Sequence, residues 1–245
     1  MAIHHEQRGA VALVTIDRPD RRNAVDRDAL AGVAAAITAA SDANLATRAF
    51  VLTGAGGHFC AGADLTGLED ESFAVTLRSV LQGLREAPFP TIAAVEGAAL
   101  GAGTQLAIAC DLRVAASSAR FGIPAAKLGL MVDHWTVQRL ALFAGHGPAR
   151  AMLLAADVLD GDDAVRLGLA QRAGGLDDAL AWAEQIAALA PLTIQGHKLA
   201  LNALEADLGN DPAVSAAFSR AWASSDLQEG LRAFHERRSP AFRGE

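Results

Sequence analysis

Gly54-Ala-Gly-Gly-His-Phe-Cys-Ala-Gly-Ala-Asp64 follows directly on the apolar run Phe50 to Thr53. An apolar run closed by a glycine cluster reads as a buried strand running into a loop. A second stretch of the same kind, Glu96-Gly-Ala-Ala-Leu-Gly-Ala-Gly-Thr-Gln-Leu106, follows Thr91 to Val95 and opens a helix. Glycine and alanine let backbone amides approach a ligand without side-chain obstruction. Amides at a helix N-terminus lack an intrahelical acceptor and sit at the positive end of the dipole. Two such amides converging on one oxygen form an oxyanion hole, although the same composition also serves tight backbone packing or ordinary turns. A dinucleotide site fits poorly, because Leu106 stands where a third glycine is needed. Neither glycine run continues into Lys-Ser or Lys-Thr, and no GxSxG occurs, so neither a Walker loop nor a nucleophile elbow is present.

Outward from these loops, the chain alternates strand and helix patterns. Val11 to Ile16 is a β-branched strand ending at Asp17-Arg18-Pro19. Asp26 is placed to cap a helix from Arg27 to about residue 40, with Leu30, Val33, Ala34 and Ile37 on one face. A helix is expected over 72–86, and a further strand over 112–116. The order points to an α/β core with parallel pairing. From about residue 134 strand signals fade, and helical patterns recur at 134–144, 146–155, 162–168, 176–190, 193–207, 211–224 and 226–236.

The chain has 245 residues, 51% hydrophobic and 20% charged, which suits a sizeable buried core. Its net charge is −7, with 21 Lys and Arg against 28 Asp and Glu. That balance disfavours nucleic-acid binding, which needs a clustered positive surface. Cys60 and Cys110 form neither a disulfide scaffold nor a metal-ligand spacing, so no metal site is expected. Residues 1–10 lack a secretory apolar region, and the longest apolar stretch, 91–110, is broken by Glu96, Gln105 and three glycines. The expectation is a cytoplasmic protein without a membrane span.

Phe59-Cys-Ala-Gly-Ala-Asp-Leu65 resembles the F-x-A-G-A-D-L segment of the enoyl-CoA hydratase/isomerase, or crotonase, family. Val95 to Leu106 resembles that family's second loop, and Ala109-Cys-Asp-Leu-Arg-Val-Ala115 its continuation. Arg18-Pro19 through Asn23-Ala24, Phe121-Gly122, Leu128-Gly129, Gln138-Arg139-Leu140 and the tail Phe234 to Phe242 match in order, so the likeness spans nearly the whole chain. It implies an α/β crotonase fold of repeated ββα units (1–190), with a C-terminal helical region (191–245) that builds a trimer interface, and a homotrimer or hexamer. It also implies a fatty acyl-CoA or enoyl-CoA thioester ligand, with no cofactor beyond the coenzyme A of that ligand. A partner enzyme of lipid metabolism is a further expectation. Carried over by position, the backbone amides of Ala63 and Ala102 hold the thioester oxygen. Arg22, Ala24, Ala61, Asp64 and Leu65 fall where family members contact adenine and pantetheine.

The chain departs from the family's hydratases at both acid–base positions. Their G-G-G-C-E-L reads Gly101-Ala-Gly-Thr-Gln-Leu106 here, so Gln105 replaces one glutamate. Their F-G-x-P-E reads Phe121-Gly-Ile-Pro-Ala125, so Ala125 replaces the other. Neither residue exchanges a proton near neutral pH, and a positioned acid or base contributes roughly 10²–10⁴-fold. Two readings stay open: an acyl-CoA-binding protein without ordinary hydratase activity, and an active member using Asp133, which aligns with the aspartate of dienoyl-CoA isomerases. Asp133 also stands where it would cap the helix that follows. Ala125, with Ile123, Leu130, Met131 and Val132, makes the acyl region more apolar and favours longer chains. Elsewhere, His4 and His5 read as solvated, His146 as a turn or helix start, and Lys127 and Lys198 as surface residues. Trp182 and Trp222 read as helix packing.

Overall fold

Val11–Ile16, Ala49–Gly54, Thr91–Val95 and Leu112–Ala115 form strands because runs of Val, Ile, Leu, Phe and Ala are covered on both faces. The computed structural model describes residues 2–42, 47–64, 71–205, 216, 219, 220 and 222–241. In chain order the elements are β1 (Ile3–Arg8), β2 (Val11–Ile16), α1 (Arg27–Asp42), β3 (Ala49–Gly54), α2 (Glu71–Glu86), β4 (Thr91–Val95), β5 (Ala98–Leu100), α3 (Ala102–Ala109) and β6 (Leu112–Ala115). They continue as β7 (Arg120–Gly122), α4 (His134–Ala144), α5 (His146–Leu154), β8 (Val158–Asp160), α6 (Gly161–Arg166), β9 (Arg172–Ala173), α7 (Leu176–Ala187), α8 (Pro191–Ala203) and α9 (Ser225–Glu236). The helix expected over 211–224 and the ligand contact expected at Leu65 fall largely or wholly outside the described residues.

The main sheet has the order β1-β2-β3-β4-β6-β9, with β1 antiparallel to β2 and every other neighbouring pair parallel. One face carries Val11, Leu13, Val51, Ile92, Ala94 and Val114, packed against Ala179, Leu180 and Ala183 of α7. The alternate residues, among them Val14, Phe50, Leu52 and Val95, are fully buried on the other face. Helix α1 starts where its sequence indicated, with Asp26 accepting from Ala29 N–H at 2.9 Å.

Strand β1 was not expected: His4 to Arg8 is exposed, so its sequence carries no apolar alternation, and pairing with β2 alone makes it a strand. His4 is not simply solvated, since its Nε2 lies 2.8 Å from the Asp17 carboxylate. The expectation of a surface Lys198 is overturned. Its ammonium is buried, 2.7 Å from Asp111, and donates to the carbonyls of Leu84 (3.2 Å) and Phe89 (2.9 Å). Helix α8, beyond the 190/191 boundary read from the sequence, is thereby tied to Asp111 just before β6, to α2 and to the turn before β4. Trp182 lies under the Arg172 guanidinium, 4.0 Å from ring centroid to Cζ.

The chain divides into two compact units, Met1–Phe121 with Asp160–Ala206, and Gly122–Leu159 with Asp207–Glu245. Within the second, a 3₁₀ turn (Pro124–Leu128) precedes α4. Helix α9 lies so close to that turn that a Cβ on Gly230 would stand 2.3 Å from the Leu128 carbonyl oxygen. Trp222 Nε1 donates to Met131 O at 2.9 Å. Glu229 of α9 gathers Arg238 (2.5 and 3.0 Å), Arg232 (3.2 Å through Nε) and the Ala241 N–H (2.9 Å). These donors, Arg238 foremost, hold its carboxyl far below the ordinary range. A depressed carboxyl contributes stability above its unfolded pKa, about 4.3, and that contribution is lost as the pH falls. Glu229→Gln is therefore expected to lower the melting temperature at pH 7, with the difference from wild type shrinking below about pH 4. A pH-independent difference in thermal scans would contradict this.

Candidate functional site

Three segments from remote parts of the first unit are laced together by backbone hydrogen bonds. Ala61 N–H donates to Arg22 O (2.9 Å), Val25 N–H to Gly62 O (2.8 Å) and Asp64 N–H to Val25 O (2.8 Å). On its other side the same loop is joined to the second glycine-rich stretch. Phe59 N–H donates to Glu96 O (2.8 Å), Cys60 N–H to Ala98 O (2.8 Å) and Leu100 N–H to Cys60 O (3.0 Å). The two glycine-rich loops of the sequence thus lie side by side, joined in a short ladder at the parallel bridge between Cys60 and Ala99. Gly103 makes the fit possible: a Cβ there would lie 2.0 Å from the Cys60 carbonyl oxygen.

This ladder fixes the two amides singled out from the sequence. In the parallel bridge between Val25 and Ala63, the bonds to Val25 are made by the flanking Gly62 O and Asp64 N–H. The Ala63 N–H is left pointing away from Val25. Ala102 is the first residue of α3, and Gly101 before it, at φ 53°, brings no capping side chain. Among the described residues no protein group accepts from the N–H of Ala63 or of Ala102. Ala102 is buried and Ala63 half-buried, and buried backbone donors are usually met by an acceptor.

The turn before the ladder is held by groups whose roles the sequence did not disclose. Arg22 and Asn23 both adopt left-handed backbone, at φ 49° and 59°. The fully buried Asn23 amide joins its own turn to the 54–64 loop: its Oδ1 accepts from Arg18 N–H (2.8 Å), and its Nδ2 donates to Ala55 O (2.7 Å) and His58 O (2.6 Å). Arg22 points to solvent, and Ala24 and Ala61 are half-buried. The Asp64 carboxylate faces Arg21 at 2.5 Å and Arg18 at 3.2 Å, and Arg18 also reaches Asp26 at 2.8 Å. Arg21 and Asp64 are far apart in sequence, which is why their pairing was not anticipated.

Gln105 is buried one turn along α3 from Ala102, at the i, i+3 spacing that shares a helix face. Cys60 lies in the 54–64 loop, with its thiol pushed up to about 12 by burial. It stays protonated near neutral pH and offers no nucleophile. In the second unit, Ala125 is half-buried in the 3₁₀ turn. Asp133 caps α4, its Oδ1 accepting from Thr136 N–H at 2.8 Å. His146 is the first residue of α5, and Lys127 is exposed. Among the described residues no helix is long and apolar enough to cross a membrane.

The family described as Enoyl-CoA hydratase/isomerase matches residues 6–245. A probable enoyl-CoA hydratase, echA6, of Mycobacterium tuberculosis is 45% identical over 242 residues, covering 97% of this chain and 98% of the relative. A crotonyl-CoA hydratase of Syntrophomonas wolfei is 34% identical over 250 residues, covering 97% and 96%. The crystal structure of an enoyl-CoA hydratase/isomerase from Pseudoalteromonas atlantica superposes with a TM-score of 0.87 at 30% identity, covering 99% of this chain and 100% of that one.

Proposed function

The chain belongs to the enoyl-CoA hydratase/isomerase family and has the crotonase fold, and on that premise we propose that it binds fatty acyl-CoA thioesters without ordinary hydratase activity. The observation that carries the binding half is the pair of N–H groups, Ala63 and Ala102, that have no protein acceptor among the described residues, beside a backbone ladder. A thioester carbonyl is an acceptor of the right kind, and fixed donors stabilise it most when it carries enolate charge. The Arg22–Leu65 residues named above serve the adenine and pantetheine parts of the ligand.

The second half rests on Gln105 and Ala125, which stand where the family's hydratases have their glutamates. With neither group able to move a proton, water addition across an enoyl double bond loses its general acid and base. Ile123, Leu130, Met131 and Val132 add apolar surface, and each methylene buried there contributes roughly 0.8 kcal/mol. Longer acyl chains are therefore preferred. Assembly follows the family pattern of a trimer or hexamer. Leu192 and Leu199 of α8, two turns apart on one face and 76% and 73% exposed, supply apolar surface for it.

A second reading keeps the enzyme active, with Asp133 as proton carrier. Its Oδ1 accepts from the Thr136 N–H at 2.8 Å, which fixes the carboxylate at the start of α4. One experiment separates the two readings. Binding of acetyl-CoA, octanoyl-CoA and palmitoyl-CoA is measured by calorimetry, and turnover of enoyl- and dienoyl-CoA by absorbance and mass spectrometry, for wild type and Asp133→Ala. The expected result is binding that tightens with chain length and no turnover by either protein. Turnover by wild type that Asp133→Ala abolishes would establish the second reading. Equal affinity for acetyl- and palmitoyl-CoA would remove the chain-length claim.

A further inference from the structure

All eight residues of α3 are buried, so neither end of this helix is bathed in water. Its terminal polar groups must be met by protein or by ligand. The two ends are treated in opposite ways. At the C-terminal end stands the guanidinium of Arg113, a fully buried side chain that folds back from β6. Its Nη1 donates to Cys110 O (2.8 Å) and Ala107 O (3.2 Å), its Nη2 to Asp111 O (3.3 Å), and its Nε to Leu169 O (2.5 Å). Gln171 Oε1 accepts from both Nη2 (3.3 Å) and the Arg113 backbone N–H (2.9 Å), and Gln171 is itself held by Gly168 O (3.0 Å). At the N-terminal end, Gly101 offers no side chain, and the Ala102 N–H meets no protein acceptor among the described residues.

A full positive charge therefore sits at the negative pole of a buried helix, about 12 Å long by its eight residues. Cations at that pole are favourable, and by neutralising it they leave the positive pole dominant at Ala102. The screening that weakens such effects at a surface is reduced inside a core. We infer that Arg113 is a positioning residue for the thioester carbonyl: it fixes α3 along its axis against β6 and strengthens the polarisation exerted by the Ala102 amide. The inference rests on the reading of Ala63 and Ala102 as the carbonyl's donors.

The test reads the carbonyl itself. Octanoyl-CoA labelled with ¹³C at the thioester carbon is bound to wild type, Arg113→Lys and Arg113→Met, and the C=O stretching band is recorded by difference infrared spectroscopy. Circular dichroism and calorimetry establish folding and binding in the same samples. Wild type is expected to shift the band to lower frequency. Arg113→Lys, which keeps the charge in the same pocket, is expected to retain most of that shift, and Arg113→Met to lose most of it while still binding. A folded, ligand-bound Arg113→Met with the full shift overturns the inference. So does a folded, ligand-bound Arg113→Lys whose band returns to the free-thioester position, which keeps the test decisive where the Met variant does not fold. A wild-type band at the free-thioester position removes the oxyanion reading itself, and it does so before any substitution is made.

Discussion

Alanine at position 103 is expected to destabilise the protein by about 3 kcal/mol, the upper range for forcing extra carbon into a packed interior, and to abolish acyl-CoA binding. The added Cβ would fall 2.0 Å from the Cys60 carbonyl oxygen and 2.9 Å from its carbon, both backbone atoms. No rotamer change relieves such a clash, so α3 or the 58–64 loop must move. Cys60 is the residue whose N–H and C=O join the two glycine-rich loops. Displacing it shifts the Ala63 amide relative to the Ala102 amide, and a carbonyl can no longer meet both. Urea unfolding gives the stability change, and calorimetry with octanoyl-CoA gives the binding change. A Gly103→Ala protein with wild-type stability and affinity would show that the loops have slack that the geometry denies.

Asn23→Ala is expected to cost about 3 kcal/mol, because three part-buried backbone groups lose the partner that a fully buried side chain supplies. Those groups are the Arg18 N–H and the carbonyls of Ala55 and His58. Asparagine also tolerates the left-handed backbone at φ 59° better than most side chains. The isosteric Asn23→Asp is the sharper variant. It keeps the acceptor for Arg18 but turns a carboxylate oxygen toward two carbonyl oxygens, where the amide had donated at 2.7 and 2.6 Å. At neutral pH Asn23→Asp is expected to be at least as unstable as Asn23→Ala, and to recover in part as the pH falls toward about 4, because the facing carbonyls favour the protonated carboxyl in the folded state. Equal melting temperatures for wild type and Asn23→Asp at pH 7 would contradict this account.

These two residues mark how far the sequence alone could be read. The glycine-rich loops announced themselves by composition, and the strands before them by apolar runs. Asp26 and Asp133 were legible as caps, because a cap is local and its partner lies three residues away. What was hidden is what depends on chain crossing from afar. Asn23 sits inside a matched motif, yet nothing in its neighbourhood says that it bonds Ala55 and His58. Lys198 reads as a surface lysine on a helix until Asp111 and two carbonyls converge on it. Strand β1 is exposed along Glu6 to Arg8, so hydrophobic periodicity could not find it. Strands β8 and β9, of three and two residues, are too short to carry a pattern at all.

The lacing of the 22–25, 60–64 and 98–100 segments also bears on how the molecule folds. Contacts between segments remote in sequence are slow to form, because loop closure must precede them. The donor pair at Ala63 and Ala102 thus comes into register only after both crossings are zipped and α3 is seated. On the proposed reading of these amides, a chain on its way to the native state is expected to offer a thioester no paired donors. Ligand then acts on the finished structure alone, stabilising it by mass action. It slows unfolding while leaving the rate of folding unchanged.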